Sequence, residues 1–375
     1  MFIKKKLNFL TRDNFLVICL FLISLLINQH YGNKGVFPMD SFIHFDPAFR
    51  ILNGEYPIKD YWVVHGIFID YLQAIFFLFL GVSWKSYVFH ASLFNGLLTV
   101  IIYFVLRNFK LNKNYCFIYS FFFSLLAYPS SGTPFLDHHS AFFSLLGVFC
   151  LILAIDSQKK IYWMSMPFFF GFAFLSKQVP SSYIILTSSF IILFYILVNK
   201  KFYFIKYIII SSVIFIIIIL TFGSIQGISL ESFFEQYIYF PQSIGAKRFN
   251  NLNFTFSGVF NNYKFIYLAM LPMLYINIKK VINNITYIKY KNFYLFLNLT
   301  LITFSLIFHQ ILTKNQIFIF FLIPILCAFS QIYLSNIKFN YKKSVFVLIA
   351  VICLFVTFKY HLRFNENRKF HELSY

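Results

Sequence analysis

The chain reads as one all-α integral membrane domain, and three observations predict that class. Of its 375 residues, 59% are hydrophobic and only 12% are charged, with a mean hydropathy of +0.73. Soluble globular chains are about a quarter charged. Apolar runs of roughly 20 residues, the length that crosses a bilayer as a helix, recur from end to end. No long polar segment between them could fold as a separate soluble domain, so residues 1–375 are expected to form a single polytopic unit.

The formal charge of +20 arrives as short basic clusters between apolar runs. That is the pattern of cytoplasmic loops, and it excludes nucleic acid as a partner. The five cysteines (Cys19, Cys116, Cys150, Cys327, Cys353) lie singly inside apolar runs, without redox or metal spacing.

Taken in order, Lys4, Lys5, Lys6 and Arg12 precede the apolar run 15–28. No small-residue cleavage site follows, so this run is expected to be an uncleaved first span with a cytoplasmic N-terminus. Ten more spans are expected near 87–106, 115–129, 139–155, 161–176, 181–198, 204–222, 263–278, 293–312, 317–334 and 344–358. The run 67–84 is apolar but interrupted by Asp70 and Gln73. Read as a surface or re-entrant helix, it leaves the basic clusters at 107–113, 159–160, 200–206 and 279–291 on the cytoplasmic side. Read as a span, it would turn them all outward. On the surface-helix reading, Asp13 and Asp156 alone among the twelve acidic residues face the cytoplasm, and all nine histidines sit at or beyond outer span ends. The outer face then gathers 31–86, 129–139, 176–180, a second larger loop at 223–262, and 313–316.

The loop 31–86 is the densest in chemistry. Its stretch 38–66, PMDSFIHFDPAFRILNGEYPIKDYWVVHG, holds Asp40, His44, Asp46, Glu55, Asp60 and His65. Phe42, Phe45, Phe49 and Leu52 recur at helical spacing and Gly54 supplies a helix stop. A short helix lying on the membrane is expected, with Asp40 at its N-terminal end. There Asp40 either caps the helix or carries chemistry. Asp46, ahead of Pro47, and Asp60 are structural or substrate-contacting.

Asp137-His138-His139 open a later span. Carboxylate plus imidazole leaves open a divalent ion, Mg or Mn, on Asp40 with Asp137 and His138. The competing reading is a polar helix start. Adjacent helical residues point about 100° apart, so both histidines would not reach one ion. Lys177 sits at an outer span end, where it either snorkels to the interface or holds a lipid-linked phosphate. Gln178 and Pro180 beside it favour the second. Lys247 and Arg248 lie in the 223–262 loop with Glu231 and Glu235, where a basic pair contacts a substrate phosphate or an anionic membrane lipid. His309, Gln310, Lys314 and Gln316 mark the last outer corner as candidates for sugar or phosphate contacts.

The order of a basic start, a span, Asp40 at the outer edge, a short helix with Ala48 and Leu52, Gly54, Tyr56-Pro57, Asp60 and His65-Gly66 resembles the first outer loop of the GT-C superfamily. These are membrane glycosyltransferases that take sugars from polyprenyl-phosphate carriers, and they include protein O-mannosyltransferases and lipid A aminoarabinose transferases. Gly171-Phe-Ala-Phe-Leu-Ser-Lys177-Gln178 is similar to the family's glycine-led span ending in lysine. Lys314-Asn-Gln316 followed by Ile323-Pro324 is similar to a late corner. Two departures stand out: Ser41 follows Asp40 where many members carry an acidic pair, and His65-Gly66-Ile67 replaces a proline element.

The resemblance implies a GT-C-like fold of about eleven transmembrane helices in a bacterial inner membrane, with the site on its outer face. It implies inverting transfer of a sugar from a polyprenyl-phosphate carrier to a cell-envelope glycan, lipid or protein acceptor. Asp40 would be the catalytic base. Lys177, Gln178, Lys247 and Arg248 would hold the donor phosphate. Asp46, Asp60, His65, Asp137, His138, Lys314 and Gln316 would contact substrate. Two rival readings are an O-antigen polymerase-like enzyme, whose key basic loop would fall in the second half of the chain, and a glycolipid transporter or flippase, which would place ionisable residues in the middles of spans.

Overall fold

The computed structural model describes residues 2–35, 40–250, 252–314 and 319–366, with side chains from Asn14 onward but not that of Asp40. Among the described residues the chain is helical, without a β-strand and with one isolated bridge between Pro57 and Tyr61. The helices are α1 (Phe2–Gly32), α2 (Phe45–Leu52), α3 (Ile67–Leu80), α4 (Trp84–Asn108), α5 (Lys113–Leu126), α6 (Leu136–Ser157), α7 (Lys160–Ser176), α8 (Gln178–Asn199) and α9 (Ile205–Ile225). They continue with α10 (Leu230–Phe234), α11 (Phe240–Asn250), α12 (Lys264–Asn283), α13 (Lys291–Thr313), α14 (Leu322–Ser335) and α15 (Lys342–His361).

Eight of these are long and apolar enough to cross a membrane: α1 from Asn14, α4, α6, α8, α9, α12, α13 and α15. The expected spans at 115–129, 161–176 and 317–334 take shorter helices. α5 and α14 have 14 residues each and α7 has 17. At 1.5 Å per residue a 14-residue helix is about 21 Å long, short of the roughly 30 Å of a hydrocarbon core. Positions 317 and 318 of the third expected span lie outside the described residues.

α6 is the central post. From Leu136 to Ile152 every side chain is buried. It packs against α7, α8 and α13. Gly147 makes the α7 contact possible, because a Cβ there would stand 2.5 Å from the Phe170 ring. α9 lies at the opposite extreme, burying Ser211 alone and turning isoleucines such as Ile209, Ile216 and Ile217 outward, as a lipid-facing helix does. Two ion pairs mark opposite ends of the bundle. Near the start of α6, Asp137 meets Lys177; near its finish, Asp156 meets Lys291 at the start of α13 at 2.5 Å.

The first loop folds as expected in outline. Asp40–Phe42 form a 3-10 turn and α2 follows. Gly54 takes φ +85°, and Gly54 N donates to Ile51 O at 3.1 Å as the helix ends. Of the expected apolar face, Phe42, Phe49 and Leu52 are exposed, whereas Phe45 packs on Phe77 and Tyr87 beside the fully buried Ala48. α3 is two-sided as well. Its polar residues Asp70 and Gln73 are buried, and Ile75, Leu78, Phe79 and Leu80 are exposed. Where the surroundings are lipid, the apolar side of a helix faces out and the polar side faces partners within the protein. The second loop, 223–262, is largely helical: α10, a π-helical turn Glu235–Tyr239 and α11.

Candidate functional site

The bundle end that holds Asp137 is also where the two loops meet. Lys177 lies between α7 and α8 in extended backbone, which turns its side chain back over the start of α6. Its Nζ donates to both Asp137 oxygens at 2.8 Å. His309, at the far end of α13, places Nε2 3.0 Å from Asp137 Oδ1. The carboxylate is 7% exposed, and a charge that deep needs partners of this kind. Two of the three ammonium hydrogens of Lys177 go to Asp137, which leaves one for a ligand.

Lys177 and His309 wall a cavity of about 710 Å³, lined also by His65, Ser182, Tyr183, Arg248 and Thr313, with apolar flanks from Phe174, Ile238, Phe249 and Leu312. A second cavity of about 600 Å³ adjoins it, lined by Lys247, Arg248, Lys314, Gln310, Asn253 and Asn262. Arg248, Ile244, Leu312 and Thr313 line both.

His65 reaches the first cavity because two glutamines register the loop that carries it. Gln236 accepts from Val63 N and donates to Ile58 O, both at 3.0 Å. Gln178 Nε2 donates to Val64 O and to Tyr237 O, both at 2.7 Å. This corrects the expected role of Gln178. Both hydrogens of its amide are taken by carbonyls, so it retains only an acceptor and does not donate to a phosphate. Burial, followed by the nearby His44 and Lys177, lowers the His65 pKa to about 4, so at neutral pH it presents an uncharged imidazole.

Behind His65, Gly66 takes φ +81°, and a Cβ there would stand 2.4 Å from His44 Cε1. His44 Nδ1 in turn lies 2.7 Å from Asp70 Oδ1, with both side chains buried. Burial lowers the His44 pKa to about 3 and raises that of Asp70 well above the carboxylate range. The same burial penalises charge on each partner, so the pair is held as a hydrogen-bonded unit sharing one proton. Deeper still, His90 lies 2.8 Å from Gln73 Oε1 and 3.1 Å from His139 Nε2.

The structure therefore brings together His65, Lys177 and Arg248 at one cavity, with Asp137 paired to Lys177 behind its wall, and Lys247, Arg248 and Lys314 at the adjoining one. It does not bring in the others. Asp46 is exposed and paired with Arg50 Nε at 2.8 Å. Asp60 accepts from Tyr56 N at 2.7 Å and shapes its own turn. His138 points away from Asp137 to Ser130 Oγ at 3.1 Å and stacks on Tyr128. The side chain of Asp40 and the whole of Gln316 lie outside the described residues. Among the described residues no three His, Cys, Asp or Glu groups stand close enough to hold a metal ion. Asp137 meets an ammonium where an ion would sit, and His138 faces elsewhere, so this pair does not fit a shared cation.

Sequence reasoning missed Gln236 and the His44–Asp70 pair, and gave His309 only a minor place. One signal was available: polar residues three apart, Asp70 and Gln73, inside an apolar run imply buried partners. No protein-family model matches the chain, and no curated protein matches it.

Proposed function

We propose that this chain is a membrane-embedded glycosyltransferase that uses a polyprenyl-phosphate sugar, working at the bundle end where Asp137, Lys177 and His309 meet. The observation that carries the reading is the Lys177 ammonium, fixed by Asp137 with one hydrogen to spare, at the wall of a cavity that has Arg248 on one side and apolar side chains on another. A lipid phosphate needs that combination: donors for its oxygens and an apolar neighbourhood for its chain.

In the proposed reaction an acceptor hydroxyl oxygen bonds to the anomeric carbon. The bond from that carbon to the phosphate oxygen breaks, and its electron pair leaves with the phosphate, which Lys177 and Arg248 hold. The hydroxyl proton passes to a base, and a single displacement inverts the anomeric centre. Asp40 is the base by family resemblance. His65, uncharged and lining the cavity, is the base that the geometry favours. A cell-envelope glycan, lipid or protein as acceptor, and the outer face of a bacterial inner membrane as the place, belong to this proposal.

The test is consumption of a radiolabelled polyprenyl-phosphate sugar pool by purified protein in detergent, comparing wild type with Asp40→Asn, His65→Ala and Lys177→Ala, each with and without chelator. Turnover lost in Lys177→Ala and in one of the two base variants supports the reading. A wild-type protein that consumes no carrier-linked sugar from a broad pool overturns it.

A further inference from the structure

Away from both cavities, α12 and α15 pack on α14 and touch each other only lightly. Between them lies a groove of about 120 Å³. Leu268, Leu271 and Pro272 of α12 line it, with Ile323 of α14 and Ile352 and Val356 of α15. Leu268 and Leu271 are exposed, so the groove opens sideways, where a membrane protein meets lipid. Among the described residues its lining carries no side-chain hydroxyl, amide or charge, a surface that suits hydrocarbon. Phe265, at the start of α12, lines it too and carries two cations on one ring. Lys264 Nζ stands 5.6 Å from the ring centroid and Lys359 Nζ 4.9 Å. Tyr360 packs edge-on against the same ring, with centroids 6.0 Å apart, and holds it in place. Both lysines are exposed, and among the described residues neither has a carboxylate at ion-pair distance. The ring attracts each ammonium without neutralising it. The two like charges repel, and an anion beside both relieves that repulsion.

From an apolar groove capped by two unpaired cations, we infer that this face binds an anionic phospholipid of the bilayer. Its phosphate sits with Lys264 and Lys359, and one acyl chain lies along the groove between α12 and α15. Charge complementarity selects the headgroup, and the apolar lining selects a chain over a free phosphate. A carrier-linked sugar fits less well, because no polar side chain of the groove would meet its hydroxyls. The groove shares no lining residue with either cavity at the proposed donor site, so the inference stands apart from the transferase reading. A lipid here would tie together the ends of two helices that otherwise meet through α14.

The experiment is lipid binding to purified full-length protein in detergent at fixed ionic strength, read by native mass spectrometry. The probes are phosphatidylglycerol, phosphatidylcholine with the same chains, and glycerol 3-phosphate. Farnesyl phosphate, the probe for the Lys177 cavity, is added as a competitor. Phosphatidylglycerol should bind about tenfold more tightly than phosphatidylcholine, and glycerol 3-phosphate more weakly than either. Lys264→Gln with Lys359→Gln should remove the preference between the lipids. Phosphatidylglycerol carrying a diazirine in one acyl chain should label peptides of α12 and α15. Equal binding of the two lipids, a preference unchanged in the double variant, or label confined to other helices overturns the inference. Glycerol 3-phosphate binding as tightly as phosphatidylglycerol would remove the groove from it. Displacement of phosphatidylglycerol by an equal concentration of farnesyl phosphate would overturn the choice of a phospholipid. If the double variant does not purify, the wild-type preference and the position of the label decide.

Discussion

Lys177 holds its ammonium 2.8 Å from both carboxylate oxygens of Asp137, across 40 positions of chain and two helices. The contact both steadies the fold and aims a cation, and the two roles separate by mutation. Lys177→Met alone leaves the Asp137 carboxylate buried with His309 only, and should cost about 3 kcal/mol. Lys177→Met with Asp137→Asn removes both charges and should recover most of that loss. Farnesyl phosphate binding should stay lost in the double variant. Unfolding midpoints in detergent and binding titrations check the two halves, and restored binding in the double variant would assign Lys177 a structural role only.

His65 should leave no mark on the pH profile across the neutral range. Its pKa is lowered to about 4 by burial and by the neighbouring His44 and Lys177, so the imidazole is already uncharged at pH 5. Turnover should be flat with respect to His65 from pH 5 to 8 and absent in His65→Ala. An inflection near 6.5 in the wild-type profile, the ordinary histidine value, would contradict the buried placement.

Gly66 is fixed by two constraints at once. Its φ of +81° disfavours any side chain, and a Cβ would press on the His44 ring. Gly66→Ala should destabilise by about 2 kcal/mol and should disorder the His65 loop, read as faster hydrogen exchange over residues 56–66. Wild-type stability and exchange would show that His44 yields freely.

The His44–Asp70 pair gives stability a slope at alkaline pH. His44 is lowered to about 3 and Asp70 is raised well above 3.8, so the folded pair keeps its proton above the pH at which a free carboxyl loses it. The unfolded chain binds one proton per pair between about pH 4 and 6.5, on histidine, and none above 6.5. Between those values the two states bind alike and stability is level. Above 6.5 the folded state binds more, so stability falls as pH rises, by about 1.4 kcal/mol per unit until Asp70 itself titrates. Asp70→Asn should abolish that slope in unfolding midpoints measured from pH 7 to 9. A slope unchanged by the substitution would remove the pair as its source.

Composition and apolar run length sufficed for much of this molecule. A bilayer-length helix has one strong signature, uninterrupted apolarity, and eight of the expected spans coincide with helices long enough to cross, while those at 115–129, 161–176 and 317–334 take shorter ones. The helix stop at Gly54 was legible for the same local reason: only glycine adopts that backbone without penalty. Lys177, Asp137, His65 and Arg248 were visible as polar residues in costly places.

What the sequence could not supply was which of them meet. Asp137 and His309 come from two helices and Lys177 from the junction of two more, and the loop-registering bonds of Gln178 and Gln236 existed only once the two loops closed on them. The burial of Asp70 and Gln73 on α3 has the same origin. Periodicity shows that a helix has two sides, but the medium and the neighbours decide which side turns inward, and those are properties of the packed bundle. Hydrophobicity is local and fixed class and helix positions along the chain. Charge pairing acts across space, and the tertiary fold alone decided it.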